Sequence, residues 1–440
     1  MKSKYIYIIT MSIAMIFSSC ELDEKVDPNQ PSLDGVLSGA SKGQLNELVV
    51  GILARASTSM GNYYDVAGVI GRDIYRFDVS DPRWVGDLLG TGNLDNSAFY
   101  TATNFAARYN SVKTANTLIT AAQNTSELTT EETNGYLAFA KTFKAFELLN
   151  VLNHQYDNGI RIDVEDPKNL GPFTSNAAES LTAIAGILTE AAADNAAAGS
   201  AFGFALTSGF AGFDTPATFG TFIKALQARV AVYRGEYNAA LTFVDQSFLD
   251  ETGNYDLGVY RVFANASGDR VNPLFFPLNT NGTTRLAHPD WINDAIPGDA
   301  RLSKTQLRDA PITTANLTSN YDAWRYQSNT DDIAIIRNEE LILIKAEALI
   351  QTDKLPEAVA LIDQIRTDVA EVGPYSGAIS KSALIDEMLL QRRYSLWDEG
   401  HRWIDMRRYN KLNEISTDRA GDTVIKQLPR PFNEIGVQGG

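Results

Sequence analysis

A mainly α fold, with tetratricopeptide-like helical pairs supporting an irregular, loop-rich half, is predicted by three observations. Apolar residues recur with helical period over six long stretches, two of these stretches repeat one another, and strand signals are few and short. In chain order the period predicts helices over 104–123, 129–154, 176–194, 219–248, 335–370 and 381–410. Thr129 with Glu132, and Asn176 with Glu179, have the spacing of a capping box, in which each side chain satisfies a backbone donor that the helix end leaves orphaned. Strand signals are short, such as Ile160-Arg161-Ile162-Asp163-Val164 and 274–278.

Laying 228–246 (ARVAVYRGEYNAALTFVDQ) over 346–364 (AEALIQTDKLPEAVALIDQ) matches Ala228 with Ala346, Ala240 with Ala358, Asp245 with Asp363 and Gln246 with Gln364. The paired alanines flank a short polar break, as two antiparallel helices require where their backbones approach closely. That spacing is tetratricopeptide-like. The buried stripe of each second helix reads as Ala240, Phe243, Val244 and Phe248, and as Ala358, Leu361, Ile362, Ile365 and Val369.

Residues 1–19 read as a secretory signal: Lys2 and Lys4 precede an apolar run from Tyr5 to Phe17, and Ser18-Ser19 leads to Cys20, the chain's single cysteine. Thirteen helical residues reach about 20 Å, short of a hydrocarbon core of about 30 Å. Cys20 stands where a bacterial lipoprotein signal is cut and acylated, and a diacylated or triacylated cysteine is sufficient for stable anchoring. Residues 20–32, acidic at Glu21, Asp23 and Glu24 and broken by Pro28 and Pro31, form a lipidated tether. A single binding domain follows over 33–440.

The chain is 440 residues long, with a formal charge of −16, 44% hydrophobic and 21% charged residues. That is enough apolar content for a large core, and it excludes disordered, collagen-like and disulfide-rich classes. Loss of residues 1–19 removes two lysines and brings the charge to −18. Such acidity disfavours nucleic acid and anionic membrane surfaces as partners. One cysteine and three scattered histidines exclude thiol chemistry and the usual zinc sets, so no metal and no cofactor is expected.

Three stretches resemble the SusD/RagB family of outer-membrane nutrient-binding lipoproteins: FIKALQARVAVYRGEYNAAL (222–241), IRNEELILIKAEALIQ (336–351) and QRRYSLWDEGHRWIDMRRYNKL (391–412). The last resembles the family's closing pattern of an Arg pair, an acidic-Gly turn, then Asp and a further Arg pair. The resemblance implies a SusD-like fold, a surface-exposed, lipid-anchored place on the outer membrane, and a non-enzymatic job. That job is to bind a glycan, or less often a peptide, and to deliver it to a SusC-like TonB-dependent transporter over which the protein sits as a lid. A rival reading is a tetratricopeptide-type adaptor lipoprotein whose ligand is a protein or peptide.

Sugar rings present apolar C–H faces, and an aromatic plate buried against one gains about 1.5–3 kcal/mol. Trp84, Trp291 and Trp324 sit in polar, turn-rich settings that suit such plates, and Arg83, Asp81 and Arg325 beside them offer hydrogen bonds to hydroxyls. Two plates with a few such bonds leave about −4 to −7 kcal/mol, a dissociation constant from about a millimolar to about ten micromolar. Trp397 and Trp403 lie among apolar residues of the closing helices and are assigned to the core. The dense charges of 392–408 are read as a structural ion-pair network rather than a catalytic centre, and no catalytic residue is assigned. The Phe-rich, Gly-rich stretch 199–213 is read as an irregular loop whose rings plug the core.

Overall fold

The computed structural model describes residues 32–436. The signal segment 1–19, Cys20 and the tether up to residue 31 lie outside the described residues. The chain opens with α1 (Leu33–Gly39), α2 (Lys42–Ala56) and α3 (Met60–Ile70). Ser41 and Gln44 cap α2 reciprocally, and Leu45, Val49, Ile52 and Ala56 form its buried stripe. Nearly every residue of α3 is buried, so no polar face marks it in the sequence.

The helical half continues with α4 (Phe99–Asn124), α5 (Thr130–Gln155), α6 (Ala177–Ala196), α7 (Pro216–Arg234) and α8 (Tyr237–Asp245). The capping box at Thr129 and Glu132 forms as predicted. At α6 the Asn176 side chain accepts from Glu179 N–H, whereas the Glu179 carboxylate turns to the amide of Ser175 at 2.6 Å. After the strands come α9 (Pro289–Asn293), α10 (Asn338–Gln351), α11 (Leu355–Gln364), α12 (Lys381–Ser395), α13 (Arg402–Arg408) and α14 (Phe432–Ile435).

The predicted repeat is the pair α7–α8 and the pair α10–α11, and α10 packs against both α7 and α8. Ala228, Ala240, Ala346 and Ala358 are all fully buried at these crossings. The break inside 219–248 falls at Gly235, whose φ of 72° is the left-handed geometry of a helix C-terminus. The corresponding break in 335–370 falls at Asp353, φ 60°.

Strands depart most from expectation. Residues 160–164 supply a single bridge, Arg161 to Phe173, and 274–278 forms no strand at all. Pro273 precedes that run and Pro277 lies within it, and neither can donate to a ladder. The sheet is instead built from β1 (Ile74–Asp78), β3 (Thr283–Ala287), β5 (Leu317–Ala323) and β4 (Thr305–Thr314), antiparallel in the order β1-β3-β5-β4. Ala315 and Asn316, both at positive φ (50° and 64°), turn the β4–β5 hairpin in the primed geometry that matches strand twist. A separate ribbon pairs β2 (Gly258–Arg261) with β6 (Ile333–Arg337).

One core fills the interior of α2 and α4–α7, and the loop 199–213 plugs it: Phe204, Phe210 and Phe213 are buried, with Phe210 against Phe219 and Phe222. A second core lies between the sheet and the closing helices and contains Trp397 and Trp403, as assigned from sequence. No helix among the described residues is long and apolar enough to cross a membrane.

The charges of 392–408 form the expected structural network. Arg392 meets Asp405 at 2.7 Å, Arg408 meets Glu347 and Asp405 at 2.8 Å each, and Glu399 accepts from Arg337 at 2.8 Å. Burial opposes ionisation of Glu399 and Asp405. The neighbouring Arg337 and Arg325, and Arg392 and Arg408, outweigh it and hold both carboxyls at about 2. Burial, with Arg407 and Arg108, likewise lowers His154 to about 3. Each folded value lies below its unfolded one, so this stability is present above the unfolded values and is lost as pH falls through the folded ones. Asp73 runs the other way, since burial raises it from 3.8 to about 7. Its contribution is complete below pH 4 or so and disappears as pH rises through about 7. Urea titrations should therefore show Asp73→Asn gaining on the parent chain by about 1–3 kcal/mol between roughly pH 5 and pH 8, with the acid limb unchanged.

Candidate functional site

Asp81, Arg83 and Trp84 fall on one tight turn directly after β1, in which Pro82–Trp84 form a single 3-10 turn. The Asp81 carboxylate accepts the Arg83 backbone N–H at 3.1 Å and takes the guanidinium in bidentate fashion, Nε at 2.8 Å and Nη2 at 2.7 Å. Arg83 lies 5.0 Å over the ring of Phe99. Trp84 is only 5% exposed. The turn drives its indole inward beside Phe99, at 4.6 Å, and the Arg76 guanidinium, at 5.7 Å, where it joins Val85, Leu88 and Leu89. The expectation that Trp84 is a ligand plate is corrected: it anchors the loop.

Trp291 is also corrected, because it is fully buried. It lies in α9, whose cap is the His288 side chain accepting Asp290 N–H, and its ring sits 4.5 Å from Trp397 and 5.2 Å from Tyr394. The short helix folds its ring beneath the sheet, and neither face of the indole is left for a ligand.

Trp324 differs. It follows β5, its backbone N–H donates to the Lys304 carbonyl at 2.8 Å, and its side chain is half-buried. Its ring is 6.2 Å from that of Phe275, itself half-buried. Arg325, next in the chain, is half-buried; its Nη2 lies 3.7 Å from Glu399, its guanidinium is 5.4 Å over Tyr326, and its Nε has no hydrogen-bond partner.

The segment 274–278 connects these places. Phe275 meets Trp324, and Phe276 covers Arg76 at 4.8 Å from the ring centroid. Arg76 in turn reaches Trp84, and Trp84 reaches Phe99. A continuous strip of rings and guanidinium groups thus runs from Trp324 through Phe275, Phe276, Arg76, Trp84 and Phe99 to Arg83. Asp65, 3.1 Å from Arg76 Nε, and Asp78, at 3.6 Å, balance its central charge. Phe99, Phe275, Phe276 and Trp324 each keep part of their surface open. Sequence reasoning missed both phenylalanines of 274–278. The usable signal was there: two adjacent rings cannot both face inward from a strand, and prolines bracket them. Chemically, the strip offers apolar ring surface for C–H faces, with hydrogen-bonding groups at each end in Arg325 and the Asp81–Arg83 pair.

The SusD family model matches residues 312–434. A SusD-like protein of Formosa agariphila is 37% identical over 106 residues, a stretch covering 22% of this chain and 21% of that relative. Among solved structures, a SusD superfamily protein from Bacteroides vulgatus is similar over 90% of this chain and 97% of its own, at 15% identity and a TM-score of 0.69. Surface glycan-binding protein A from Bacteroides thetaiotaomicron, solved in complex with laminarihexaose, is similar over 89% of this chain and 97% of its own, at 14% identity and a TM-score of 0.69. The closing segment of the chain, residues 312–434, thus matches the SusD family model, and the fold around it is the one those solved structures share.

Proposed function

We propose that this protein is a non-catalytic surface binder of oligosaccharides, and that the strip from Trp324 to Arg83 is where they dock. The observation that carries the reading is the set of half-buried rings at Trp324, Phe275, Phe276 and Phe99, held by buried neighbours that fix their orientation. A fold shared with a protein solved with laminarihexaose supports the same class of ligand. Arg325, Arg83 and Asp81 would bond to hydroxyls, Trp84 would brace the loop from behind, and weak capture would let the ligand leave for the next carrier. In the same reading Cys20 carries the lipid anchor and the receiving partner is a SusC-like TonB-dependent transporter.

Affinity electrophoresis in gels cast with a panel of polysaccharides, laminarin among them, tests the binding claim. Retardation by at least one neutral glycan is expected, with the glycan recovered uncut. No retardation by any glycan, together with recovery of a soluble periplasmic protein on the immobilised chain, would favour the adaptor reading; shortened oligosaccharides would favour an enzyme. For the anchor, Cys20→Ala is expected to move the protein out of the membrane fraction, and retention there would count against acylation.

A further inference from the structure

A cavity of about 620 Å³ opens between the C-terminal ends of α5 and α7, the first turns of α6, and α13. That is within the usual range for small-molecule sites, about 300–1,000 Å³. It lies apart from the aromatic strip, none of whose residues line it. Its walls mix the rings of Tyr156 and Tyr233 with the polar side chains of Asn153 and Thr182 and with the carboxylates of Asp157 and Glu236.

The charge at this cavity does not balance. Arg407 lines it, is 4% exposed, and donates only to neutral carbonyls, Nη1 to Lys426 O at 3.0 Å and Nη2 to Asn153 O at 2.8 Å. Its Nε has no hydrogen-bond partner and it forms no ion pair among the described residues; Asp157, which also lines the cavity, acts on its charge from beyond ion-pair distance and is itself paired with Lys426. Tyr156 at 4.1 Å and Trp403 at 4.9 Å flank the guanidinium, which offsets part of its desolvation without neutralising it. Every other cation here is matched: Arg408 by Glu347 and Asp405, Arg234 by Glu236 at 2.8 Å, Lys426 by Asp157 at 2.7 Å. Ala177 and Ala178, the first residues of the 20-residue α6, line the same space and add the partial positive charge of a helix N-terminus. Burial pushes Arg407 down to about 10, so it is still charged at neutral pH.

We propose that this cavity is a second binding site, for a saccharide unit that carries one carboxylate. One unmatched cation suits a monoanion better than a phosphate dianion, and tyrosine faces beside amide and hydroxyl groups suit a pyranose ring. The inference rests on the carbohydrate reading only for the class of ligand; the site itself rests on Arg407 and the shape of the cavity.

Calorimetric titration of the full-length lipoprotein in detergent with sodium D-glucuronate, and separately with D-glucose, tests it. Glucuronate is expected to bind at least tenfold more tightly than glucose. Arg407→Gln, and Ala178→Trp, which fills the cavity from an exposed position, should each weaken glucuronate at least tenfold. Equal binding of the two sugars, or full glucuronate binding by a folded Ala178→Trp, would overturn the proposal. So would a short peptide with a free C-terminal carboxylate that binds here more tightly than glucuronate. Glucuronate binding that depends on Ala178, in a protein that no polysaccharide retards, would keep this site and remove the aromatic strip.

Discussion

Arg285→Ala is expected to destabilise the protein by about 3–5 kcal/mol, read as a lowered urea midpoint. Arg285 is buried on β3, with Nε at 2.7 Å from Asp65 and the rest of its fork on Asp398. Burial disfavours its charge, but the two carboxylates outweigh that and raise its hold on the proton. Without the arginine, buried Asp398 loses its ion-pair partner and Asp65 keeps only Arg76, at 3.1 Å. Asp398 itself stands in a left-handed turn, φ 66°, that joins α12 to the closing helix, so the loss reaches the segment that matches the SusD family model. The triple variant Arg285→Met, Asp65→Asn, Asp398→Asn removes all three charges together and should recover most of the loss. If the single variant unfolds at the parent's midpoint, the triad contributes nothing and the interpretation of 392–408 as a structural network fails with it.

Trp324→Ala and Phe275→Ala are each expected to weaken glycan binding about tenfold to a hundredfold, the affinity equivalent of about 1.5–3 kcal/mol of lost apolar burial. Both rings are half-buried, so truncation removes contact surface while leaving the second core intact. Trp84→Ala should behave differently. Removing a buried indole costs about 3–5 kcal/mol of stability, and affinity should change only as far as the 81–84 turn loosens. A titration in which Trp84→Ala loses affinity at full stability, while Trp324→Ala binds normally, would reverse these roles.

The helical half was legible because its signals are local. The spacing of Ala228 and Ala240, and of Ala346 and Ala358, states where two backbones meet, and Gly235 states where the first helix of a pair must stop. Helix α3 and strand β1 were not legible, since both are buried on nearly all sides and carry no alternation of polar and apolar residues. The site was legible in part for a related reason. A polar, turn-rich neighbourhood says that a tryptophan is near the surface but not which way its ring points. The short turn at Pro82–Trp84 and the helix at Pro289–Asn293 both aim theirs inward, while the end of β5 leaves Trp324 partly open. Phe275 and Phe276 were hidden inside a run that reads as a strand. Their meeting with Trp324 and Arg76 depends on contacts about 50 and 200 residues apart in the chain, which no local pattern encodes.

The distribution of the five tryptophans makes the central claim directly measurable. Trp84, Trp291, Trp397 and Trp403 are buried, and Trp324 alone is half-buried, so acrylamide quenching of tryptophan emission reports chiefly on Trp324. Saturation with a bound oligosaccharide should shield that ring and remove most of the quenchable emission, and Trp324→Phe should abolish the effect. Tight glycan binding with unchanged quenching would place the ligand away from Trp324 and contradict the account.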